Sequence, residues 1–418
     1  MPRAPPSLEE EDNHKIEIEK GSDLEREATE DLSSFHFKTR RKFSKSLSKH
    51  VEETHPTLSK KLKDTLQNEL NDLYKSRSIS DNYKLELETL IEFHKYMHKY
   101  KKHYEGKDRS KRHLLFRRKY FDVRDQKGDR TYLKGINKFS DLTQEERRML
   151  LSNVKPIKNT KDHNKPDELQ EMMEKHFKDP IYLSKLKLAK NFENNIADAT
   201  KITSENLDWR RADVVSPVKD QGDDCGSCWA FAAVASVESL FRMLQDTNVD
   251  LSEQHLINCV KKCNGCKGGF SDVALDFVKN KGLPETGIVP YTGKDGQCTD
   301  PDTDRYFIDL FTSLVYSPTV VNIGASDKLF DYKSGIYDDE CSVQMNHAVL
   351  LVGEGFDPET KKRYWIIKNS WGTDWGEDGY LRLERTKDGL DKCGILTAGL
   401  NPFIIHYIPH EYVGNMWY

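Results

Sequence analysis

The first 224 residues of this chain contain no cysteine; all eight, at 225, 228, 259, 263, 266, 298, 341 and 393, lie in the second half. That crowding has the density and placement of a disulfide-bearing domain and argues against a reduced cytosolic protein. No run of about 18 apolar residues occurs, so no membrane helix is expected. The N-terminus, MPRAPPSLEEEDNHKIEIEK, lacks the apolar core of a secretory signal. The cysteines and the N-terminus therefore disagree about compartment, and the expectation is that a targeting or anchor segment is missing from this version of the chain. Excess positive charge is absent too: 65 Lys and Arg against 69 Asp and Glu give a net charge of −4, which argues against a dedicated nucleic-acid binder. Mean hydropathy is −0.78, low for one globular unit, so part of the chain should be solvated or loosely ordered.

At 418 residues the chain has room for about two or three domains. No internal repeat is found. Residues 1 to 84 are charge-rich, with few aromatics and no strong period, and read as an extension that is disordered or weakly helical. From Leu85 the pattern changes. Leu87, Leu90, Ile91, His94, Met97 and Lys101 fall near one helical face, with Phe93, Tyr96 and Tyr100 beside them. A second helix is expected over Arg109 to Asp125, followed by a turn-and-strand signal over Gly135 to Asp141 and a polar connecting segment over residues 150 to 200. From Ile202 the texture is globular. Ser227 is placed to cap a long apolar helix whose inward positions include Phe231, Val234, Val237, Leu240 and Phe241. Ala348 to Val352 and Tyr364 to Lys368 read as adjacent strands. A helical lobe followed by a strand-rich lobe gives an α+β domain with a cleft between the lobes.

The run Gln221-Gly222-Asp223-Asp224-Cys225-Gly226-Ser227-Cys228-Trp229-Ala230-Phe231 carries the chemistry, together with Asn346-His347-Ala348 and Lys368-Asn369-Ser370-Trp371-Gly372 far downstream. A free cysteine is only a few per cent thiolate at neutral pH. In the first turn of a helix, Cys228 gains from the dipole and from exposed N–H groups, and a thiolate–imidazolium pair with His347 would lower its pKa further. Asn369 can orient the imidazole from its other nitrogen. The Gln221 amide and the Cys228 N–H can serve a developing oxyanion. Each residue alone is weak evidence, since a cysteine at an apolar helix start is most often core, a lone His structural and a buried Asn bonded to backbone. The linked set, with Trp229 after the Cys and Trp371 after the Asn, is far more specific.

On these residues the chain resembles the papain-like, cathepsin-type cysteine peptidases, and most of all their protozoan-parasite branch. Cys-Gly-Ser-Cys-Trp-Ala-Phe resembles the nucleophile signature of that family. Asn369 to Gly376, Leu251-Ser252-Glu253-Gln254, Asn264 to Gly269 and Cys393-Gly394-Ile395 match further motifs, and the resemblance covers roughly residues 203 to 405. It extends upstream: Arg112, Phe116 and Val123 fit the helix of the family's inhibitory pro-segment, and Gly135, Asn137, Phe139 and Asp141 fit its short second motif. The resemblance implies a two-lobed papain-like fold, a helical lobe plus an antiparallel β-barrel-like lobe, preceded by a mainly helical pro-domain. The divisions expected are an extension over 1–84, an inhibitory pro-region over 85–200 and a peptidase domain over 201–418.

The implied activity is a thiol endopeptidase made as a zymogen, processed near residues 195–205. Cys228, His347, Asn369 and Gln221 would be catalytic, with Trp371 shielding the Asn–His contact. Gly268 and Gly269 would pair substrate backbone as an added strand. Phe270, Ser271, Asn322, Met345 and Ala398 would form the pocket for the residue two before the scissile bond; having no acidic group at its base, the pocket would prefer Leu or Val over Arg. The resemblance also implies disulfides Cys225–Cys266, Cys259–Cys298 and Cys341–Cys393, leaving Cys263 unpaired. A four-thiolate zinc site from Cys225, Cys228, Cys263 and Cys266 would leave the His and Asn partners unexplained, and no short βαβ pattern supports a redox pair. No metal or organic cofactor is therefore expected. The implied partners are protein or peptide substrates, the chain's own pro-region and cystatin-like inhibitors; the implied state is a monomer in a lysosome-like or food-vacuole compartment, or outside the cell. Acid would favour processing by protonating pro-segment carboxylates such as Asp141.

The sequence departs from the pattern in three places. Lys119 and Lys127 stand where the pro-segment motif usually has asparagines. The nucleophile loop carries one extra residue at Asp223-Asp224. His347 follows Cys228 by 347 − 228 = 119 residues, against about 130–150 in the family, with the deficit between Cys298 and Ser317. Such a deficit admits a second reading, a catalytically impaired papain-fold peptide-binding protein.

Overall fold

The computed structural model describes residues 83–128, 130–151, 207–311, 317–342, 344–386, 392–397 and 399–408, with parts of residues 60–69. The expectations for residues 1–59 and for most of the connecting segment lie outside the described residues. Two compact units divide between His113 and Leu114, so the expected pro-region spans both.

In the first unit, helix α1 (Tyr83–Lys99) forms because its apolar residues recur at helical spacing. Leu87, Leu90, Ile91, Phe93, Tyr96 and Met97 are buried and His94 is half-buried. Lys101, expected on that face, lies beyond the helix end, exposed and in the left-handed region (φ 53°). Arg109 ion-pairs with Glu69 at 2.6 Å, and Glu69 also meets His94 Nε2 at 3.1 Å. Helix α2 runs Gly106–Arg124, close to the span expected.

The second unit begins within α2, at Leu114, and holds the remaining elements. Strand β1 (Tyr132–Lys134) and helix α3 (Gln144–Met149) lie in the expected pro-segment; Thr143 and Glu146 close a capping box at the start of α3. The helical lobe contains α4 (Cys228–Gln245), α5 (Glu253–Cys259) and α6 (Ser271–Lys281). The strands are β2 (Leu207–Asp208), β3 (Arg305–Phe311), β4 (Thr319–Ile323), β5 (Tyr332–Tyr337), β6 (His347–Asp357), β7 (Lys362–Lys368), β8 (Tyr380–Arg385) and β9 (Gly399–Ile408). Among the described residues the sheet order is β1-β5-β8-β7-β6-β4-β9-β3, with β2 pairing β6. The two strands expected to be neighbours, β6 and β7, pair antiparallel.

Helix α4 is apolar almost all round, the composition of a helix with no solvent face, and it packs against β6. Ser227 occupies its N-cap position but does not cap it; the backbone there is not extended, and the hydroxyl bonds Tyr291 instead (2.9 Å). Strand β6 is buried on both faces. Ala348, Leu350 and Val352 point into the core beneath α4, while Val349 and Leu351 enter a second core with Trp371, Trp375 and Ile367. The pro-segment joins this second core through Tyr132, Phe139, Leu150 and Leu151. Its strand β1 extends the sheet antiparallel to β5, Tyr132 opposite Gly335. Gly335 has φ +92°, and a Cβ there would fall 2.3 Å from the Thr131 carbonyl, so only glycine admits this pairing.

Disulfides join Cys225 to Cys266, Cys259 to Cys298 and Cys341 to Cys393. With Cys225 and Cys266 bonded to each other, the four-thiolate alternative is not formed. Cys263 is outside the disulfides and half-buried, and burial pushes its thiol up from the ordinary value.

Behind the Cys259–Cys298 bridge, His255 of α5 accepts at Nε2 from buried Arg305 (3.2 Å). Burial, then the Arg305 charge, lowers the imidazole to about 4. The folded state therefore holds His255 neutral through a range in which the unfolded chain, near 6.5, takes up a proton. Stability is present above pH 6.5 and falls as pH drops from there towards 4, by up to about 3 kcal/mol from this group. Urea unfolding at pH 7 and pH 4.5 should show a smaller pH-induced drop in His255→Gln than in the unsubstituted protein; equal drops would remove His255 from the account.

Candidate active site

Cys228 is the first residue of α4, fully buried and outside the disulfides. The loop leading to it is fixed twice at its end, by the Cys225–Cys266 bridge and by the Gly226 N–H donating to the Cys266 carbonyl (2.8 Å). At the other end Gln221 is buried and its amide is fully engaged. Nε2 donates to the Cys225 carbonyl (2.9 Å) and to the Leu150 carbonyl of the pro-segment (3.0 Å), and Oε1 accepts from Ser370 Oγ (2.8 Å). The Gln221 N–H donates to the Ser370 carbonyl (2.9 Å). Gln221 thus ties the loop before Cys228 to the turn after Asn369.

His347 opens β6 with its ring buried, and its Nε2 lies 2.8 Å from Asn369 Oδ1. The Ser370 N–H also donates to Oδ1 (2.8 Å), which fixes the amide's orientation. An acceptor at Oδ1 requires the proton on Nε2, so the neutral ring has its lone pair at Nδ1. Among the described residues Nδ1 has no hydrogen-bond partner. Trp371 lies against the imidazole (4.7 Å between ring centres, 23° between planes). Its other neighbours are Phe330, stacked at 4.4 Å, Trp375 edge-on at 4.9 Å, and Phe139 of the pro-segment edge-on at 5.3 Å. These rings leave Trp371 1% exposed, so water has no approach to the His347–Asn369 bond from that side.

Beneath the site, a small cavity between α4 and β6 is lined by Lys219, Glu238, Glu253, Lys368 and Asn369. Lys219 Nζ meets Glu238 at 2.7 Å and Glu253 at 2.9 Å. Burial alone would lower the Lys219 pKa, but the two carboxylates outweigh it and hold the group charged. Burial pushes Glu253 up to about 7 and Lys368 down to about 8.

The expected substrate-binding residues lie in the turn before α6, at the start of α6, on β4 and in the loop before β6. Gly268 and Gly269 follow a tight turn closed by the Asn264 N–H on the Gly268 carbonyl (2.8 Å). The Phe270 N–H donates to Cys263 Sγ (3.3 Å), and Ser271 Oγ donates to the Trp229 carbonyl (2.9 Å). Asn322 on β4 is buried with Oδ1 unbonded among the described residues, and Met345 is half-buried. Ala398 lies outside the described residues.

Sequence reasoning missed how directly the pro-segment engages this machinery. The Leu150 carbonyl occupies the Gln221 donor, and a Cβ on Gly226 would fall 2.6 Å from the Met149 carbonyl, so glycine is what admits the pro-segment backbone there. Asn137 Nδ2 donates to the Phe330 carbonyl (2.7 Å). Buried Asp331 is shared by two pro-segment cations: Lys119, and Arg147 at 3.3 Å. Lys119 is one of the two lysines standing where asparagine was expected, so the departure itself was the available signal. Lys138 pairs with Asp220 beside the nucleophile loop.

Residues 203–403 match the papain family cysteine protease domain, and residues 93–147 match the cathepsin propeptide inhibitor domain (I29). The chain is 45% identical over 386 residues to a cysteine proteinase of Theileria annulata, covering 89% of this chain and 87% of that one. It is 34% identical over 359 residues to falcipain-3 of Plasmodium falciparum, covering 80% and 69% respectively. The solved structure of recombinant stem bromelain precursor aligns with a TM-score of 0.59 at 28% identity, covering 76% of this chain and 99% of that one.

Asp331→Ala would leave Lys119 and Arg147 without their shared carboxylate while Asn137, Phe139 and Leu150 keep their contacts. Amide exchange over residues 131–150 should then accelerate by about tenfold, a modest share of what truncating a buried ion pair can cost. Unchanged exchange would show that the two ion pairs contribute nothing to docking.

Proposed function

We propose a mechanism from one premise: this chain belongs to the papain family of cysteine proteases and is made with an inhibitory propeptide. The reading is a Cys-His-Asn endopeptidase. The Cys228 thiolate attacks the carbonyl carbon of a peptide bond. The carbonyl oxygen takes up the negative charge, stabilised by the Gln221 amide and the Cys228 N–H. As the C–N bond breaks, protonated His347 gives its proton to the leaving amine, and a thioester remains on Cys228. Water then attacks the thioester, losing a proton to His347, and the carboxylic product leaves. Asn369 holds the imidazole in the one tautomer that directs Nδ1 to this work, and Trp371 keeps water from their hydrogen bond.

The observation that carries the reading is the paired state of two groups at once. Gln221 donates to a peptide carbonyl, as the oxyanion role requires, and Asn369 fixes the His347 proton at Nε2. The carbonyl in question is the pro-segment's own, so latency follows from occupation of the donor that a substrate would need. Release is favoured by acid. Asp339 of the peptidase is held well below the usual carboxylate range: burial, which alone would raise it, is outweighed by hydrogen bonds from Lys328 and from Tyr132 of the pro-segment. That contribution to docking is complete above the ordinary aspartate value near 3.8 and is lost only as pH falls below it. A lysosome-like or food-vacuole compartment, or the extracellular space, suits the disulfides.

After acid processing, an epoxide inhibitor should add to Cys228, and mass spectrometry of the processed protein would report the adduct and the cut site together. A folded preparation with no adduct on Cys228 overturns the enzyme reading. Asn369→Ala should lower kcat/KM for a peptide substrate by roughly a hundredfold, the scale of a misoriented general acid–base. Processing should accelerate as pH falls below about 4, where the Asp339 contact begins to be lost; a rate unchanged between pH 7 and pH 3 contradicts the role given to that contact. A peptide-library profile should favour Leu or Val two residues before the cut, and dominance of Arg there would refute the pocket assignment.

A further inference from the structure

Ser227 stands at the start of a buried 18-residue helix without capping it. Its hydroxyl is committed elsewhere, to the hydroxyl of Tyr291 at 2.9 Å. Tyr291 in turn donates to the main-chain carbonyl of Gln221 at 2.7 Å. With its single proton given to that carbonyl, Tyr291 can only accept from Ser227. One phenolic oxygen therefore bridges residues 221 and 227, the two ends of the nucleophile loop.

This loop carries the extra residue at Asp223-Asp224, and at its middle Gly222 is in the left-handed region (φ +83°), with its N–H donating to Asp220 Oδ1 (2.8 Å), and Asp224 is exposed. A longer loop has more ways to let its ends move apart. The groups attached to those ends are the Gln221 side-chain amide and the N–H of Cys228, the two donors on which a developing oxyanion would rest.

Tyr291 is itself held in place. Its ring meets Phe231 of α4 edge-on at 5.0 Å. The next residue is anchored to α5, because Gln254 Oε1 accepts from the Thr292 N–H (2.9 Å) and from Thr292 Oγ1 (3.0 Å), while Gln254 Nε2 donates to the Lys294 carbonyl (2.8 Å). Gln254 belongs to the Leu251-Ser252-Glu253-Gln254 motif, for which the mechanism gives no direct part. Burial pushes the Tyr291 phenol up to about 12, so the donor is intact at any pH at which the protein would work.

We propose that Tyr291 is a positioning residue for peptide hydrolysis: its hydroxyl sets the spacing between the two oxyanion donors of the lengthened loop and is itself placed by Gln254. The proposal rests on the reading of Cys228 as nucleophile and Gln221 as oxyanion donor. Tyr291 acts through Gln221 and touches no reacting atom.

The test uses the full chain, processed in the same way for each variant: Tyr291→Phe, Ser227→Ala, Gln221→Ala and the Tyr291→Phe/Gln221→Ala double. Three quantities are read, namely kcat and KM on a peptide amide and the rate of Cys228 alkylation by iodoacetamide. Alkylation displaces iodide and builds no oxyanion, so it reports the thiolate alone. Loss of the whole Gln221 donor should cost about a hundredfold or more in kcat, and Tyr291→Phe, which leaves the donor present but loosely placed, about tenfold. KM and the alkylation rate should stay within about twofold in Tyr291→Phe, a split expected of a device that acts only on the transition state. Ser227→Ala should lower kcat in the same direction, and the double variant should be no slower than Gln221→Ala. An unchanged kcat in Tyr291→Phe overturns the proposal. So does a parallel fall in hydrolysis and alkylation, which would mean a general loosening of the helix start, and so do multiplicative losses in the double variant. Should the unsubstituted protein, processed and folded, neither hydrolyse peptide nor alkylate at Cys228, it is the underlying enzyme reading that fails.

Discussion

The constraint on which the structure depends is the burial of β6 on both faces. A strand alternates its side chains across the sheet, so each residue from Ala348 to Val352 must belong to one core or the other. Ala348, Leu350 and Val352 fill the core beneath α4, and Val349 and Leu351 fill the core around Trp371. A slip of one residue would send each set into the wrong core, which fixes the register strongly. His347 is the residue immediately before this run. Its place is therefore determined by the packing of two cores, and the imidazole needs only the bond to Asn369 and the face of Trp371 to set its remaining freedom.

The same packing explains why the pro-segment's contacts and the groups proposed for catalysis share their parts. Trp371 covers the His347–Asn369 bond on one side and receives the pro-segment's Phe139 on another. Gln221 is tied to the Cys225 carbonyl and to Ser370, yet its second Nε2 hydrogen is directed to a carbonyl that the pro-segment supplies. A propeptide that binds these groups needs no separate inhibitory surface. What it does need is specificity for this catalytic domain, and the charges provide it. Lys119 and Arg147 converge on one buried aspartate, while Arg130 (2.9 Å) and Tyr132 (2.7 Å) converge on Asp339.

Much of this was legible from residues because it is local. The apolar composition of α4, the unbroken apolar runs of β6 and β7, and the spacing of α1 are visible within about twenty residues. The cysteine–tryptophan signature and the Asn–Ser–Trp–Gly run are also contiguous. The parts that were not legible join distant segments through backbone atoms: Leu150 to Gln221, Asn137 to Phe330, Tyr291 to Gln221. A carbonyl carries no residue identity, so no pattern of side chains announces such bonds. The Ser227 expectation failed for a related reason. Serine at a helix start is a good cap in isolation, but here the backbone angles (φ −98°, ψ 13°) take the hydroxyl away from the first turn and Tyr291 claims it.

The short interval between Cys228 and His347 is resolved by the same reasoning. Sequence distance matters to an active site only through the strand that receives the histidine. Strand β4 pairs antiparallel with β6 from Thr319 opposite Leu351 to Ile323 opposite His347, without a bulge, and β4 in turn takes β9 at Val320 and Val321. Val320 enters the core under α4 and Val321 and Ile323 enter the other, so β4 repeats the two-core constraint of β6. The deficit lies upstream of Ser317, before this ladder begins. Closing a shorter connection changes chain entropy only slowly with its length, whereas a slip of β4 against β6 would cost burial on both faces at once. The placement of His347 is thus set by the packing of the two strands, whatever the length of the connection that precedes them.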